Sequence, residues 1–299
     1  MKARSHRPLL GIGLMLMAMA ILPFLDVCAK FLGQQGMPVI ETVWARMAFG
    51  TVLTLPFALR QGGKAALMPD LPIYHFCRAL FLMTATGLFF WALHYQSIAD
   101  TLAIFFVQPL VVTALSPFVL GETVGVRRWS AVIAGFIGTL IIIRPGLQAF
   151  NPGIILALGA GASLAIYLLM TRRIAGSRPA MVTTYHTSLM GAGIASLIVI
   201  PFWQWPTLHQ WGLMALLALI ANSGHYLIVK AYDHGEASLL APLGYAEMIM
   251  ATVAGWWFFG EFPDRWTFLG VAILIASAIY ISFRERAHNI PPPSDFEQP

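Results

Sequence analysis

Two polar residues lie inside long apolar runs in opposite halves of the chain, and they occupy matched positions. Gln108 precedes Glu122 by 14 residues, and Glu247 precedes Glu261 by the same 14. An ionisable group in apolar surroundings is costly to bury, so it usually faces a cavity or a partner. Glu247 is therefore predicted to bind a substrate ammonium group or to carry a proton. The alternative is a neutral carboxyl that joins neighbouring helices by hydrogen bonds.

Three further polar side chains lie within apolar runs. Asn222 and His225 are close together in the sequence, and a histidine titrates near neutral pH, so His225 is a candidate for proton binding. An interhelical hydrogen bond is the alternative for this pair. Arg78 is predicted either to meet a substrate carboxylate or to extend its head group to the membrane interface.

A candidate ion pair involves Asp26 and Arg46, which fall at similar depths in the first two apolar runs. Lys30, four residues after Asp26, is an alternative partner for the same carboxylate. We predict a gating or structural ion pair near the outer mouth, rather than a substrate ligand.

Aromatic residues supply a possible wall for an apolar or aromatic solute. Trp44 and Tyr185 stand at matched positions of the two halves, and Tyr245 lies two residues before Glu247. For each of them, a place in the core or in an interfacial aromatic belt is the alternative.

The elements that must position these residues are membrane helices. The 299 residues are 58% hydrophobic and only 10% charged, with a mean hydropathy of +0.74, which leaves too little polar surface for a soluble globule. The apolar runs are long and lack dyad alternation, which favours helices over a barrel. Ten spans are predicted, at 9–31, 39–59, 72–93, 100–120, 128–144, 152–172, 181–201, 211–231, 238–259 and 266–284.

The basic residues predict the orientation. Of the 18 Lys and Arg, thirteen fall on one set of loops and termini, while Lys30, Arg144 and Arg265 fall on the other. Cytoplasmic loops retain basic residues, so both termini are predicted to be cytoplasmic.

Ten spans in two similar halves give five spans per half, and an odd number inverts the second half. The predicted organisation is a first repeat at 1–148, an inverted second repeat at 149–286 and a disordered cytoplasmic tail at 287–299. Inverted repeats are typical of secondary transporters, whose substrate site lies near the midplane where the halves meet. Cys28 and Cys77 show no spacing typical of a metal site or a disulfide framework, so neither metal nor cofactor is predicted.

The run from Gly121-Glu122 through Arg127-Arg128-Trp129 and Gly135-Phe136-Ile137-Gly138 to Arg144-Pro145-Gly146 resembles the EamA repeat of the drug/metabolite transporter superfamily. A fainter copy includes Gly260-Glu261, Trp266 and Gly270. The resemblance implies an all-helical ten-span carrier of small organic solutes in a bacterial inner membrane. It favours the branch that exports amino acids, aromatic ones included. The expected partners are a small-molecule substrate, the lipid bilayer and protons, but not nucleic acid.

Other functions remain as alternatives. An acidic residue at the midplane and aromatic walls would also suit export of cationic drugs, and a lipid flippase stays open. A membrane-embedded enzyme is disfavoured, because the chain lacks a paired-histidine metalloprotease motif and a strained serine elbow. No phosphate-binding loop for ATP hydrolysis is present either.

Overall fold

The computed structural model describes residues 8–121, 125–144, 151–174, 177–234 and 240–288, and within these ranges the chain is helical without strands. The fold class of an all-helical membrane protein with several spans is confirmed. The first-half helices are α1 (Pro8–Ile21), α2 (Pro23–Gln34), α3 (Val39–Gly62), α4 (Pro72–Ala92), α5 (Ile98–Phe105), α6 (Gln108–Leu120) and α7 (Val126–Ile143). The second-half helices are α8 (Pro152–Arg173), α9 (Ala180–Val199), α10 (Leu208–His234), α11 (Glu247–Phe259) and α12 (Arg265–His288).

Seven helical stretches in the described ranges are long and apolar enough to cross a membrane. Val132–Ile143 and Arg265–Ser277 are shorter apolar helices. Nine of the ten predicted spans coincide with a helical stretch to within four residues at either end; the ninth, 238–259, ends as predicted at 259, and its start lies outside the described residues. The count of ten membrane crossings nevertheless remains a prediction, because length and hydropathy alone support seven. The seven are Leu9–Gln34, Val39–Leu67, Pro72–Ala92, Ile98–Leu120, Pro152–Arg173, Ala180–Phe202 and Leu208–Ile228.

Two helices are interrupted at matched positions. The α5–α6 stretch breaks at Phe106 and Val107, and α6 then begins at Gln108. In the second half a 3₁₀ segment at Ala241–Ala246 ends where α11 begins, at Glu247. Both matched polar residues are thus the first residues of their helices. Pro109 is the second residue of α6, where a proline is tolerated because the amide it lacks would have no helical partner.

The helices α6 and α11 also end alike. Each is 13 residues long and is followed by a glycine in the left-handed region, Gly121 with φ 71° and Gly260 with φ 67°. Only glycine adopts this conformation without steric cost, which is why a glycine closes each helix. Glu122 lies outside the described residues.

Helices at equivalent positions of the two halves pack together. The most extensive interfaces join α3 to α9, α7 to α12, α4 to α8, and α1 to α10. In the predicted repeat, α8 corresponds to α1–α2, α9 to α3, α10 to α4 and α12 to α7. The α3–α9 and α7–α12 interfaces then each join a helix to its own counterpart. Swapping the two halves converts the α4–α8 interface into the α1–α10 interface, as expected for an approximate two-fold relation between repeats.

The α7–α12 interface depends on small residues. A Cβ atom added to Gly138 would lie 2.9 Å from the carbonyl oxygen of Gly270, closer than real Cβ atoms approach. The two helices therefore meet backbone to backbone, as small residues allow in membrane bundles.

The C-terminal boundary differs slightly from the prediction. Helix α12 continues to His288, four residues beyond the predicted end at 284. The predicted disordered tail at 287–299 thus overlaps the helix by two residues, and 289–299 lie outside the described residues.

Candidate functional site

A cavity of about 470 Å³ lies at the seam between the two halves. The first half contributes α3 and α4, and the second contributes α8, α9 and α10. Of the predicted site residues, the cavity brings together Arg46, Arg78, Asn222 and His225. Its other polar lining residues are Tyr167, Thr171, Arg178, Thr183, Thr184, Thr187 and Ser188.

The side chain of Arg78 is almost fully buried, with 2% exposed, yet it meets no acid among the described residues. Its Nε donates to the Thr171 hydroxyl at 2.9 Å, while one terminal nitrogen lies 3.4 Å from His75 Nδ1 and the other 3.5 Å from the Tyr167 hydroxyl. The guanidinium also lies over the Tyr167 ring, 5.2 Å from its centroid. A buried charge is normally paired. Arg78 therefore has hydrogen-bonding capacity for an anion in the cavity.

Arg46 is the second cation of the cavity. It donates a short hydrogen bond to the Thr86 hydroxyl. Asp26, which is 5% exposed, lies near enough for the two charges to interact, but no direct ion pair joins them. The predicted gating pair thus has its members close together without a salt bridge, and Arg46 faces the cavity.

The wall formed by α9 and α10 presents hydrogen-bond acceptors. The hydroxyls of Thr184 and Thr187 donate to the carbonyl oxygens one turn earlier, at 3.0 and 2.9 Å. Asn222 donates one of its two amide hydrogens to the Ala218 carbonyl at 2.8 Å. The hydroxyl hydrogens of the two threonines are used locally, so their oxygens and the Asn222 amide oxygen remain to accept hydrogen bonds from a ligand. His225 also lines this wall, and its side chain is exposed to the cavity.

Arg178 of the cavity lining belongs to a polar cluster around Asp70, on the side predicted to be cytoplasmic. Arg178 Nε donates to Asp70 at 3.1 Å, and His75 Nε2 lies 3.7 Å from the same carboxylate. Burial alone would raise the pKa of Asp70, but the hydrogen bond from Arg178, a backbone hydrogen bond and the neighbouring positive charges together hold the pKa below its usual value. The Arg178 charge is therefore already paired, whereas Arg78 has no acidic partner in the described part of the chain.

A second cavity, of about 610 Å³, lies at the opposite end of the bundle. Lys30 Nζ donates to both carboxylate oxygens of Glu261, at 2.6 and 2.7 Å, and to the Gln96 carbonyl at 3.1 Å. The alternative pair of Asp26 with Lys30 is therefore wrong. The charges at this end neutralise each other, so this cavity is the weaker candidate for a substrate site.

The matched residues Gln108 and Glu247 do not line the seam cavity. Glu247 begins α11, which packs against α2, and its charge lies within interaction distance of Asp26. Both matched residues are half-buried.

The predicted aromatic wall is not formed by the residues proposed for it. The Trp44 indole donates to Ser196 at 2.9 Å and its ring lies 5.1 Å from that of Trp203. Tyr185 is buried in a small apolar cluster, and the Tyr245 ring packs 5.0 Å from Phe106. These three residues belong to the packing of the bundle, and none of them lines the seam cavity.

The profile of the EamA-like transporter family matches residues 9–144 and 151–283, which together cover most of the chain. The chain belongs to the EamA-like transporter family. The two matches coincide with the two halves described above, so each half is one EamA repeat.

Several curated bacterial relatives of this EamA protein are named for small-molecule transport. It is 27% identical to an S-adenosylmethionine uptake transporter of Rickettsia bellii, over 93% of this chain and 94% of the relative. It is 29% identical to a riboflavin transporter of Vibrio cholerae over the same shares. A pseudopaline exporter of Pseudomonas aeruginosa is 26% identical over 82% of this chain and 87% of the relative.

A solved structure described as "Crystal structure of protein" has a similar fold. It superposes with a TM-score of 0.65 and 19% identity, over 94% of this chain and 98% of the other. This likeness establishes a shared fold only.

The EamA chain contains cavity residues that sequence reasoning missed, namely Tyr167, Thr184 and Thr187. Hydroxyl residues are common in membrane helices, and their spacing carried no distinguishing signal. Tyr167 and Thr171 are four residues apart on one face of α8, and both contact Arg78. A search for a polar face opposite each unpaired intramembrane cation would have found them.

Proposed function

We propose that this protein is a ten-span secondary carrier of a bacterial inner membrane, with two inverted repeats at 1–148 and 149–286 and both termini cytoplasmic. Its substrate is a small solute with an amino-acid end, which crosses by alternating access through the seam cavity. The single observation that carries the substrate class is Arg78, a buried guanidinium that faces this cavity and has no acidic partner among the described residues.

The two walls of the cavity suit the two ends of an amino acid. Arg78 and Arg46 can receive the carboxylate, because guanidinium groups bind carboxylates through paired charge-assisted hydrogen bonds. The oxygens of Asn222, Thr184 and Thr187 can receive the ammonium group. In this arrangement the ammonium group of the substrate binds the α9–α10 wall and not Glu247, because Glu247 does not line the cavity.

The relatives support a small-molecule substrate. S-adenosylmethionine, for which several of them are named, also ends in an ammonium and a carboxylate. The named relatives include both uptake transporters and an exporter. The direction of net transport in this proposal therefore depends on the solute gradient, and amino-acid export is one of the two directions.

Export of lipophilic cations is the weaker alternative. The described lining of the seam cavity contains arginines and no carboxylate, so its field repels a cationic ligand.

Uptake into proteoliposomes tests the proposal. A mixture of labelled amino acids identifies which one the wild-type protein moves, with L-phenylalanine as the first probe. Two analogues serve as competitors: L-phenylalanine amide, which lacks the carboxylate, and 3-phenylpropionate, which lacks the ammonium group. We expect both analogues to compete at least ten-fold more weakly than phenylalanine itself.

A variant of the acceptor wall provides the matched comparison. Asn222→Leu should weaken competition by phenylalanine and its amide, but should leave 3-phenylpropionate unaffected because that analogue has no ammonium group. Absence of carrier-dependent uptake for every amino acid in the mixture would refute the proposed substrate class.

A further inference from the structure

Two carboxyl groups inside the bundle lack hydrogen-bond and ion-pair partners among the described residues. Asp26 lies in the first turn of α2, just after the break that separates it from α1, and only 5% of its surface is exposed. Glu247 is the first residue of α11 and is half-buried. Buried ionisable groups in a membrane protein usually have a partner or bind an ion. Neither of these two has a structural role visible in its contacts.

The two carboxyl groups lie on helices that touch. Helix α2 packs against α11, and the charges of Asp26 and Glu247 are near enough to repel each other. In a surrounding of low dielectric constant, two neighbouring carboxylates cannot both ionise cheaply, so such a pair holds one proton between them. The titration then belongs to the pair and not to either residue alone.

Arg46 connects this pair to the substrate cavity. Its charge interacts with Asp26, while its side chain also lines the cavity. An anionic group that binds in the cavity offsets the positive field of Arg46. Asp26 then loses part of the stabilisation of its charged form, and the pair gains affinity for a second proton.

We propose that Asp26 and Glu247 form a proton-binding site that is coupled to the seam cavity through Arg46, so that one proton enters with each carboxylate-bearing solute. This inference rests on the proposed function, and it adds the coupling ion and the sign of the coupling. The carrier is then a symporter that moves one net positive charge with each zwitterionic solute.

Several other titratable groups lie on the helices around this pair. The thiol of Cys28 on α2 and the phenol of Tyr245 ordinarily lose their protons only above neutral pH. The Asp100 carboxylate accepts a hydrogen bond from the Ser97 hydroxyl, and Lys30 forms an ion pair with Glu261. His225 on α10 faces Arg46 from the cavity side, so it is the competing proton acceptor. A His225 variant therefore tests this histidine separately.

The experiment uses proteoliposomes containing the full-length protein and a pH-sensitive dye in a weakly buffered lumen. Valinomycin and equal potassium concentrations clamp the membrane potential. Addition of L-phenylalanine, or of the best substrate in the amino-acid mixture, should acidify the lumen of wild-type vesicles by about one proton per solute taken up. Asp26→Asn and Glu247→Gln should each lower that ratio at least five-fold while retaining exchange of labelled against unlabelled solute.

Glu41→Gln is the matched control. Glu41 is also a fully buried carboxyl, but it accepts a hydrogen bond from the Gln204 backbone at 3.1 Å, and its loss should leave the ratio unchanged. His225→Asn should also leave it unchanged, and a loss of proton flux there would overturn the assignment in favour of the histidine.

Two further results would overturn the coupling while leaving the proposed function intact. One is solute uptake without acidification, and the other is alkalinisation, which indicates antiport. For a variant that reconstitutes poorly, proton uptake on adding the solute to detergent-solubilised protein supplies an independent measurement. Wild-type vesicles that move no amino acid would instead remove the proposed function, and the coupling with it.

Discussion

Replacement of Arg78 by methionine separates a ligand-binding role from a structural one. The side chain of methionine fills much of the same volume but carries no charge. The two terminal nitrogens of Arg78 have only long contacts, 3.4 Å to His75 Nδ1, 3.4 Å to the Thr183 carbonyl oxygen and 3.5 Å to the Tyr167 hydroxyl, so they can turn toward a carboxylate. Hydrogen bonds to charged groups each contribute about 1.5–3 kcal/mol. Because 1.4 kcal/mol corresponds to a factor of ten, Arg78→Met should raise the Kd for an amino acid about 10- to 150-fold.

The same change should leave stability intact. Removing an unpaired buried charge relieves the cost of its desolvation, and similar replacements are often neutral or stabilising. Thr171 loses a donor, yet its hydroxyl still donates to the Tyr167 carbonyl at 2.7 Å. Arg78→Met should therefore have a Tm in detergent equal to or above that of the wild type.

The assay is equilibrium binding of the labelled solute to purified protein, together with thermal unfolding of the same samples. Arg78→Lys keeps the charge but loses the fork of donors, so its Kd should fall between the other two. Arg60→Met, at the exposed end of α3 and away from the cavity, is the control. A lower Tm with unchanged affinity in Arg78→Met would refute the assignment, because that is the behaviour of a structural arginine.

Three other predictions concern the bundle around the site. Lys30→Glu breaks the ion pair with Glu261 and should open the end of the bundle that carries the 610 Å³ cavity, so a membrane-impermeant thiol reagent should label a cysteine introduced there more strongly. Adding Glu261→Lys should restore protection from the reagent, and no recovery would exclude a direct pair. Gly138→Ala should lower stability by about 1–3 kcal/mol through its clash with the facing backbone, whereas Gly193→Ala, with open space around it, should not; equal Tm values would contradict the close approach. Burial alone would raise the pKa of Asp264, but hydrogen bonds from Thr267 and its arginine partner hold it below the usual 3.8. The stabilisation is thus present above pH 3.8 and lost as the pH falls through the lowered pKa, so Asp264→Asn should destabilise the protein more at pH 6 than at pH 2.5 in thermal unfolding.

The helices could be predicted from the sequence because apolar length is a local property. Nine of the ten spans were located to within four residues at both ends, but Gln108 and Glu247 were expected inside spans and are instead the first residues of their helices. Depth in the membrane also follows from counting residues along a helix. The repeat was visible for the same reason, since equal spacings survive in each half.

The direction in which a side chain points could not be predicted. Whether Glu247 faces the cavity or α2 depends on how α11 is rotated against its neighbours. The neutral partners of Arg78 on α8 likewise depend on the α4–α8 interface. Such contacts join residues about 90 positions apart, and no local pattern specifies them.

The exchange of helices between the halves has a consequence for synthesis on the ribosome. Helix α4 packs against α8, and α1 packs against α10, so neither half encloses its own helices. When the ribosome has made the first 144 residues, the inward faces of α1 and α4 still lack their eventual neighbours. The nascent N-terminal portion must remain loosely assembled in the bilayer, and the final architecture is reached only after the later helices leave the insertion machinery.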